Sequence, residues 1–397
     1  MTPVGRRRLL LSSLTVATVL AALSALHGSD DAPKRAADAQ PTSLATGSAV
    51  TPPTGTPPTG TSPAHTAGNV YAHIGVGQLA AAAHGVPYRL YVPESGSNAV
   101  DVIDPETMQV VGHFKTGLDP QHVVPSYDLH TLYATNDLSN SLTPFDPRTG
   151  QPSGPNIPVD DPYNMYFLPG GSEAAVVAEA RQRIDFYDAH SFTPRSVLHV
   201  TCPGVDHADF TADERTMVAS CEFGQRLVRI DLASHQVVGY LDLPGSSPQD
   251  VRISPDGSLF YVADMKLGGV HLIDAARFVQ VGFIPTGKDA HGLYPSRDGS
   301  RLFVSNRGNG SITVIDFATR RVLATWHLPG GGSPDMGGIS PDGNVLWLSG
   351  RYNQSVYKIS TVDGRLLGRI RIPHKPHGMC VWPQPGRYSL GHTGNMR

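Results

Sequence analysis

The sequence predicts an all-β fold, a seven-bladed β-propeller of four-stranded blades. The first observation is a turn motif that returns with successive spacings of 42, 43, 43, 42, 44 and 42 residues. The motif is marked by Asp128, Gly170, Asp213, Asp256, Asp298, Asp342 and Gln384. Repeats of about 40 to 45 residues that contain four short strands are typical of propeller blades. The second observation is composition, since 42 glycines and 34 prolines in 397 residues suit short strands joined by tight turns.

Each repeat contains four strands, A to D, counted outward from the central channel. The stretches NAVDVIDPETMQVVGHFKTG, GGVHLIDAARFVQVGFIPTG and GSITVIDFATRRVLATWHLPG each combine a strand rich in Val and Ile, an Asp turn and a further strand. The repeats begin at Tyr88 with a B-C-D set and finish with a spare strand A, PHGMCVWP, at residues 376–383. We therefore expect this C-terminal inner strand to join the N-terminal blade and close the ring over residues 88–384.

Four segments flank the repeats. Residues 1–29 carry three consecutive arginines and then an apolar run from Leu9 to Leu26, which predicts a Tat-like export signal or, alternatively, an uncleaved N-terminal anchor. Residues 30–66 are rich in Pro, Thr, Ser and Gly and should form a disordered, extended spacer. Residues 67–87 and 385–397 flank the ring closure and are expected to pack on the rim or the mouth. The expected location is secreted or attached to the cell surface.

Composition and motifs exclude several classes of function. The net charge of −3 and the low fraction of charged residues, 16%, provide no electrostatic footprint for nucleic acid. The sequence contains no GxSxG elbow, no P-loop and no CxxCH site. Serine hydrolysis, nucleotide hydrolysis and c-type cytochrome function therefore lack support.

At the level of the blade, the chain resembles the YVTN-repeat β-propeller family. The matching stretches are LYVPESGSNAVDVIDPET, SPDGSLFYVAD and DGSRLFVSNRGNGSITVIDFAT, and the resemblance extends over residues 88–384. It implies a secreted or cell-surface propeller, with relatives that are described as lactonase-like and others that are antigens or binding proteins. The family has no catalytic motif that transfers to residues of this chain. The location of the site therefore has to be inferred from the positions of polar residues within the blades.

Polar residues cluster where strand A begins and strand B ends. In a propeller the D-A and B-C connections share one face, so these positions converge on one mouth of the channel. The predicted ligand-binding residues at this mouth are His122, Asn164, Glu179, Asp206, His207, Glu222, Asp250, His291, Arg307, Asp335, Arg351 and His377.

The two sides of this mouth suggest different ligands. Imidazole and carboxylate groups suit a divalent metal, for which the tentative ligands are His122, His207, Glu179 and Glu222. The opposite side carries arginines, whose guanidinium groups can hold a carboxylate or phosphate. The alternative interpretation is structural, because channel mouths are wet and tolerate polar residues without a ligand.

Three function classes remain open. The first is an exported binding or scaffold protein, expected to be monomeric, that uses the mouth for a small ligand or a cell-surface protein partner. The second is a metal-assisted hydrolase of the lactonase-like kind at the same mouth, because a metal with an anchored anion is the arrangement that Lewis-acid hydrolysis requires. The third is a redox protein whose copper ion is held by histidines. Contact with a membrane is expected only through an uncleaved N-terminal anchor.

Two of the three cysteines are expected to pair. Cys202 and Cys221 lie 19 residues apart and both belong to the mouth face of the fourth blade, which favours a disulfide in an exported protein. The alternative is a copper or zinc site formed by a thiolate with His207. Cys380 lies inside the last strand A and is expected to be a buried small hydrophobe.

Overall fold

A computed structural model describes residues 68–397, which form seven antiparallel sheets arranged as propeller blades. Blade 1 begins with β1 (Arg89–Glu94), β2 (Ala99–Asp104) and β3 (Gln109–Lys115). Blade 2 contains β4 (Pro120–Pro125), β5 (Leu132–Asn136), β6 (Ser141–Asp146), β7 (Gln151–Pro152) and β8 (Ile157–Pro158). Blade 3 contains β9 (Asn164–Phe167), β10 (Glu173–Ala178), β11 (Arg183–Asp188) and β12 (Pro194–His199). Blade 4 contains β13 (Val205–Phe210), β14 (Thr216–Cys221), β15 (Arg226–Asp231) and β16 (Gln236–Asp242).

The remaining blades repeat the pattern with little change. Blade 5 contains β17 (Pro248–Ile253), β18 (Leu259–Asp264), β19 (Gly269–Asp274) and β20 (Val279–Pro285). Blade 6 contains β21 (Ala290–Pro295), β22 (Arg301–Asn306), β23 (Ser311–Asp316) and β24 (Arg321–His327). Blade 7 contains β25 (Pro334–Ile339), β26 (Val345–Gly350), β27 (Ser355–Ser360) and β28 (Leu366–Arg371), and β29 (Cys380–Trp382) follows. Short 3-10 helices cover Ala81–Ala83 and Asp137–Ser139.

The ring closes as the repeats predict. Strand β29 pairs antiparallel with β1, with Cys380 opposite Tyr91 and Trp382 opposite Arg89. The first blade thereby gains its innermost strand from the C-terminal end of the repeats. Closure by distant parts of the chain ties the two ends of the repeats together and leaves no unpaired inner edge. The predicted seven-bladed fold with this closure is confirmed.

The outer strand of blade 2 departs from the predicted four-strand pattern. Its place is taken by two strands of two residues each, β7 and β8, and both pair with β6. The stretch QPSGPNIP contains three prolines, and proline cannot donate the backbone hydrogen bond that a continuous ladder requires. Blade 2 therefore carries a broken outer edge.

The recurring turn motif works through local hydrogen bonds. In SPDG of blade 5, the Ser254 hydroxyl donates to Asp256 at 2.6 Å and accepts from the backbone N–H of Leu259 at 3.0 Å. Gly257 takes a positive φ of 70° in this turn, a conformation that costs glycine little. Such turns join strands A and B, both fully buried in blade 5, so the apolar core lies between blades close to the channel.

Cys202 and Cys221 form the predicted disulfide, with 5.0 Å between their Cα atoms, and Cys380 is free and buried. No helix among residues 68–397 has the length and apolar character needed to cross a membrane. The predicted export signal and spacer lie outside the described residues.

The C-terminal tail lies inside the ring and not on its outer rim. Arg397 and Asn395 both donate to Asp209 on strand β13, and Gly391 forms a β-bridge to Tyr166 on β9. The side chain of Tyr388 donates to Glu214 in the A-B turn of blade 4. Because the A-B turns lie on the face opposite the mouth, the tail fills the channel from that side.

Candidate functional site

A β-bulge recurs at the start of the innermost strand and shapes the mouth. In blades 2, 4, 5, 6 and 7 the register between strands A and B shifts by one residue near the start of strand A, so that two residues of strand A lie opposite one of strand B. In blade 2 the shift lies between Pro120 and Val123, and it includes Gln121 and His122. A bulge breaks the strict alternation of a strand and re-aims its side chains. Two neighbouring residues of each such strand can therefore both serve the channel.

Four histidines from four different places in the ring meet across the channel. The ring centroids of His122 and His377 are 5.0 Å apart, those of His377 and His291 6.0 Å, those of His291 and His207 5.7 Å, and those of His207 and His122 5.6 Å. A fifth histidine, His392 of the tail, lies 5.5 Å from His122 and 5.1 Å from His207. We call these five residues the histidine chamber; each is between 0% and 2% exposed.

Two imidazoles of the chamber present an unpaired lone pair. Nδ1 of His122 lies 2.9 Å from the backbone carbonyl of Tyr163, and Nδ1 of His377 lies 2.8 Å from the carboxylate of Asp335. Both partners only accept, so Nδ1 carries the proton and Nε2 carries the lone pair. Neither Nε2 atom has a partner among the described residues, although both are buried. Buried polar atoms are rarely left unpaired, and such atoms call for an ion or a water molecule as partner.

His207 and His392 add two further rings. Nδ1 of His207 lies 3.2 Å from Oδ2 of Asp206, and neither of its ring nitrogens makes a hydrogen bond within the described chain. One nitrogen each from His122, His207 and His392 lies within 4.8 Å of the other two, which is close enough for the three rings to converge on one metal ion. This arrangement includes two of the four tentative metal ligands. It adds His392 and does not include Glu179 or Glu222.

His392 is held by a hydrogen bond that would have to adjust around a metal. The Asn164 side chain accepts from the backbone N–H of Met165 through Oδ1, so its amide nitrogen donates to Nδ1 of His392 at 2.9 Å. Nε2 of His392 faces Asp250 at 3.6 Å. An ion bound through Nε2 would place the ring proton on Nδ1, and the Asn164 side chain would turn to accept it.

Electrostatics sets His207 apart from the other four rings of the chamber. Burial lowers the pKa of His122, His291, His377 and His392 well below the ordinary value, so these imidazoles are neutral near pH 7. Burial acts in the same direction on His207, but the neighbouring carboxylates, with Asp206 first, outweigh it and raise its pKa. The neutral rings are in the form that binds metals, and an ion bound at His207 would displace the proton that Asp206 favours there.

Three carboxylates surround the rings, and each is held in place by the backbone or by a cation. Asp206 accepts from the hydroxyl of Ser220 at 2.5 Å, and Asp250 accepts from the backbone N–H of Leu293 at 2.9 Å. Asp335 lies 3.4 Å from Nη1 of Arg307 in addition to its bond with His377. These carboxylates are suited to orienting the imidazoles, as the partners of metal-bound histidines commonly do.

The outer part of the mouth is more exposed and carries the remaining predicted residues. Glu179, Glu222 and Arg351 are half-buried there. Burial and the charge of Asp206 raise the pKa of Glu222 to about 7, and the same two causes raise that of Glu179 well above its ordinary value. Arg351 lies within electrostatic reach of both His377 and His122, and after the larger effect of burial its charge lowers the pKa of each.

Arg307 has more packing partners than its position in the sequence suggests. Its guanidinium lies 5.4 Å from the ring centre of Tyr352, and its Nη2 lies 2.7 Å from the sulfur of Met265. Its Nε is buried and without a partner among the described residues. The predicted residues are thus linked to the chamber by direct contacts or, for Glu179, Glu222 and Arg351, by the effects of charge.

The sequence did not place His392, because it lies outside the repeats. The available signal was the run GHTG after the ring closure, together with the need for the tail to pack near the joined ends. The opposite end of the channel holds a cavity of about 40 Å³ beside Tyr71, Arg252 and Thr393. A cavity of this size suits water and not a larger ligand.

Comparisons with known proteins agree with the architecture. A search of curated proteins finds no match. A functionally unknown protein from Desulfotomaculum acetoxidans superimposes with a TM-score of 0.63 at 14% identity, over 74% of this chain and 98% of that one. Hydrazine synthase from Kuenenia stuttgartiensis gives 0.57 at 18% identity, over 81% of this chain and 100% of the other. A putative 6-phosphogluconolactonase from Bacteroides uniformis gives 0.57 at 18% identity, over 74% and 99%.

These structural similarities, all below 25% identity, show the fold alone. The family comparison is more specific, because the description "YNCE-like beta-propeller" matches residues 65–386, which include every blade. On that match, the chain belongs to the YNCE-like β-propeller family.

Proposed function

We propose that this protein binds a divalent transition-metal ion in the histidine chamber and receives a small ligand at the mouth above it. The observation that carries the proposal is the set of buried, unpaired imidazole nitrogens on His122, His207 and His392. Nitrogen ligands of this kind suit zinc and copper. Calcium instead takes about six to eight oxygen ligands. The chamber therefore favours an ion of the zinc or copper type.

The ligand that we propose for the mouth is a small anion. Arg351 is half-buried there. Arg307 has an unpaired Nε, although Asp335 neutralises part of the charge of its guanidinium group. Guanidinium groups recognise carboxylates and phosphates. The acidic side of the mouth repels anions unless a metal ion is bound there. A carboxylate on or beside the metal ion would interact with the ion on one side of the mouth and with the arginines on the other.

Export belongs to the same proposal. It is supported by the predicted signal in residues 1–29 and by the disulfide between Cys202 and Cys221, since disulfides persist in oxidising compartments. A binding protein outside the membrane is the role that follows, with the anionic group supplied by a small molecule or by a cell-surface protein.

Metal-assisted hydrolysis of a lactone or ester is the second candidate. The observation that favours it is Glu222, because burial and Asp206 raise its pKa to about 7, where a carboxyl group can exchange protons during catalysis. A bound ion would polarise the carbonyl group of the substrate. Glu222 would then accept a proton from water, and Arg351 would hold the anionic end of the substrate.

The test is metal titration of the full chain by equilibrium dialysis with zinc chloride and with copper chloride. We expect the His122→Ala/His207→Ala double variant to bind about one ion per chain fewer than the wild type, because two of three ligands are lost. His271→Ala is the matched control, since His271 is buried but bonds to Asp264 away from the channel. Equal stoichiometry in the wild type and the double variant would refute the proposal.

The hydrolase candidate needs its own measurement. Metal-loaded chain is assayed against a panel of lactones and carboxylic esters, with a chelator-treated sample beside it. The candidate predicts chelator-sensitive turnover that Glu222→Gln abolishes while metal stoichiometry stays unchanged. Binding of the ion without turnover would leave the protein as a binding protein.

A further inference from the structure

The end of strand B carries a polar side chain that faces strand C in several blades. In three blades the facing pair joins a hydrogen-bond donor to an acceptor. The pairs are Asn136 with Thr143 at 2.9 Å, Asp264 with His271 at 2.7 Å, and Asn306 with Thr313 at 3.0 Å. Each pair ties the end of strand B to its neighbour without leaving a charge uncompensated, which indicates a structural role.

Blade 1 breaks this rule. The corresponding residues are Glu94 at the end of β1 and Asp101 on β2, which are two carboxyl groups. They are 1% and 5% exposed, and Oε2 of Glu94 has no partner among the described residues. Carboxylates only accept hydrogen bonds, so two of them that face each other in a buried place require a shared proton or a cation.

A third side chain completes the group. His113 on β3 places Nδ1 2.6 Å from Oδ1 of Asp101 and 4.0 Å from Oε1 of Glu94. One ligand atom from each of the three residues lies within 4.8 Å of the other two. The His113 side chain is 48% exposed, so an ion can reach the group directly from solvent. Burial and the neighbouring Asp101 raise the pKa of Glu94 to about 8, and the charge of Lys115, whose amine donates to the backbone of Ser97, offsets this only in part.

We propose that Glu94, Asp101 and His113 form a second metal site on blade 1, for a divalent ion of the zinc class. Two carboxylates and one imidazole are ligands that zinc accepts, and three protein ligands leave a position for water or an exogenous group. The ligands come from three adjacent strands of one blade, which hold them rigidly. The site shares no residue with the histidine chamber and does not depend on the function proposed for it.

The decisive variant is Glu94→Gln, which restores at this position the donor–acceptor pairing of the other blades. In the absence of metal we expect it to unfold at a higher temperature than the wild type, because it removes the facing carboxylates. With zinc chloride we expect it to bind about one ion per chain fewer than the wild type. Asp264→Asn in blade 5 is the matched control and should leave the zinc stoichiometry unchanged.

Failure at blade 1 is distinguishable from failure at the chamber. In the His122→Ala/His207→Ala background about one zinc ion per chain should remain, and adding Glu94→Gln should remove it. The zinc-induced rise in melting temperature should become smaller as the zinc stoichiometry falls. This measurement separates a loss of binding from a variant that does not fold. The proposal is overturned if Glu94→Gln changes neither the zinc stoichiometry nor the zinc-induced shift in either background.

Discussion

Removing the side chain of Arg397 should loosen the tail and the histidine chamber together. Arg397 donates from Nη2 to Oδ1 of Asp209 at 2.5 Å, and the two side chains are 4% and 0% exposed. Breaking a buried ion pair by removing one partner costs about 3 to 5 kcal/mol, because the remaining charge is uncompensated. Asp209 keeps the Asn395 amide at 2.8 Å and the Ile253 N–H at 2.9 Å. We therefore expect Arg397→Ala to lower the free energy of unfolding by about 3 kcal/mol, the low end of that range.

The assay is urea unfolding of the full chain followed by intrinsic fluorescence, with zinc affinity as a second readout. Arg387→Ala is the control, because Arg387 belongs to the same tail but is exposed and lies 5.6 Å from the ring centre of Tyr388. An exposed contact of this kind contributes about 0.5 to 1 kcal/mol. Zinc affinity should fall only in Arg397→Ala, since loosening the tail displaces His392.

Two results would refute the reasoning. Equal, small losses of stability in both arginine variants would show that the buried ion pair does not anchor the tail. A strongly destabilised Arg397→Ala chain that still binds zinc as tightly as the wild type would show that His392 does not contribute a ligand.

Three further outcomes are expected. Burial and a neighbouring carboxyl raise the pKa of Asp137 to about 8, so the folded chain holds a proton that the unfolded chain releases. The contribution of Asp137 to the free energy of unfolding is therefore present at low pH. It declines by up to about 1.4 kcal/mol per pH unit as the pH rises toward 8. Asp137→Asn should abolish this part of the decline, as measured by urea titrations at several pH values. Replacing Cys202 and Cys221 by Ser should cost about 3 kcal/mol under oxidising conditions and nothing under reducing ones. Gly378→Ala would place a methyl group against the His122 ring, so zinc affinity should fall in dialysis. Gly154→Ala should not change it, because its methyl group would meet Pro144 at 3.9 Å, an ordinary van der Waals contact.

Much of the fold could be predicted because it depends on interactions that are short-range in sequence. The SPDG turn is stabilised by Ser254 and Asp256, two residues apart, and the runs rich in Val and Ile between such turns identify the strands. The spare strand A at residues 376–383 implied ring closure, because an unpaired inner strand has only one free edge to join. The disulfide followed from the same blade alignment, which placed Cys202 and Cys221 on one face.

The site could be predicted only in part. Positions at the start of strand A brought four of the five chamber histidines to one mouth, since the repeat fixes where each strand begins. The tentative ligands Glu179 and Glu222 were chosen on the same basis, but strand position does not fix depth, and both lie in the outer, half-buried part of the mouth. Ligand distances depend on depth as much as on position around the ring.

The sequence by itself determined the blade count, the closure and the polarity of one mouth, because each follows from patterns that repeat within about 43 residues. Only the tertiary structure decided that His392 joins His122 and His207, since the tail lies outside the repeats and its path depends on the buried pairing of Arg397 with Asp209. The same holds for Glu94, Asp101 and His113, whose meeting across three strands depends on register and on side-chain direction. The sequence repeat specifies where the strands lie. The two sites are formed by contacts between residues that do not occupy equivalent positions in the repeat.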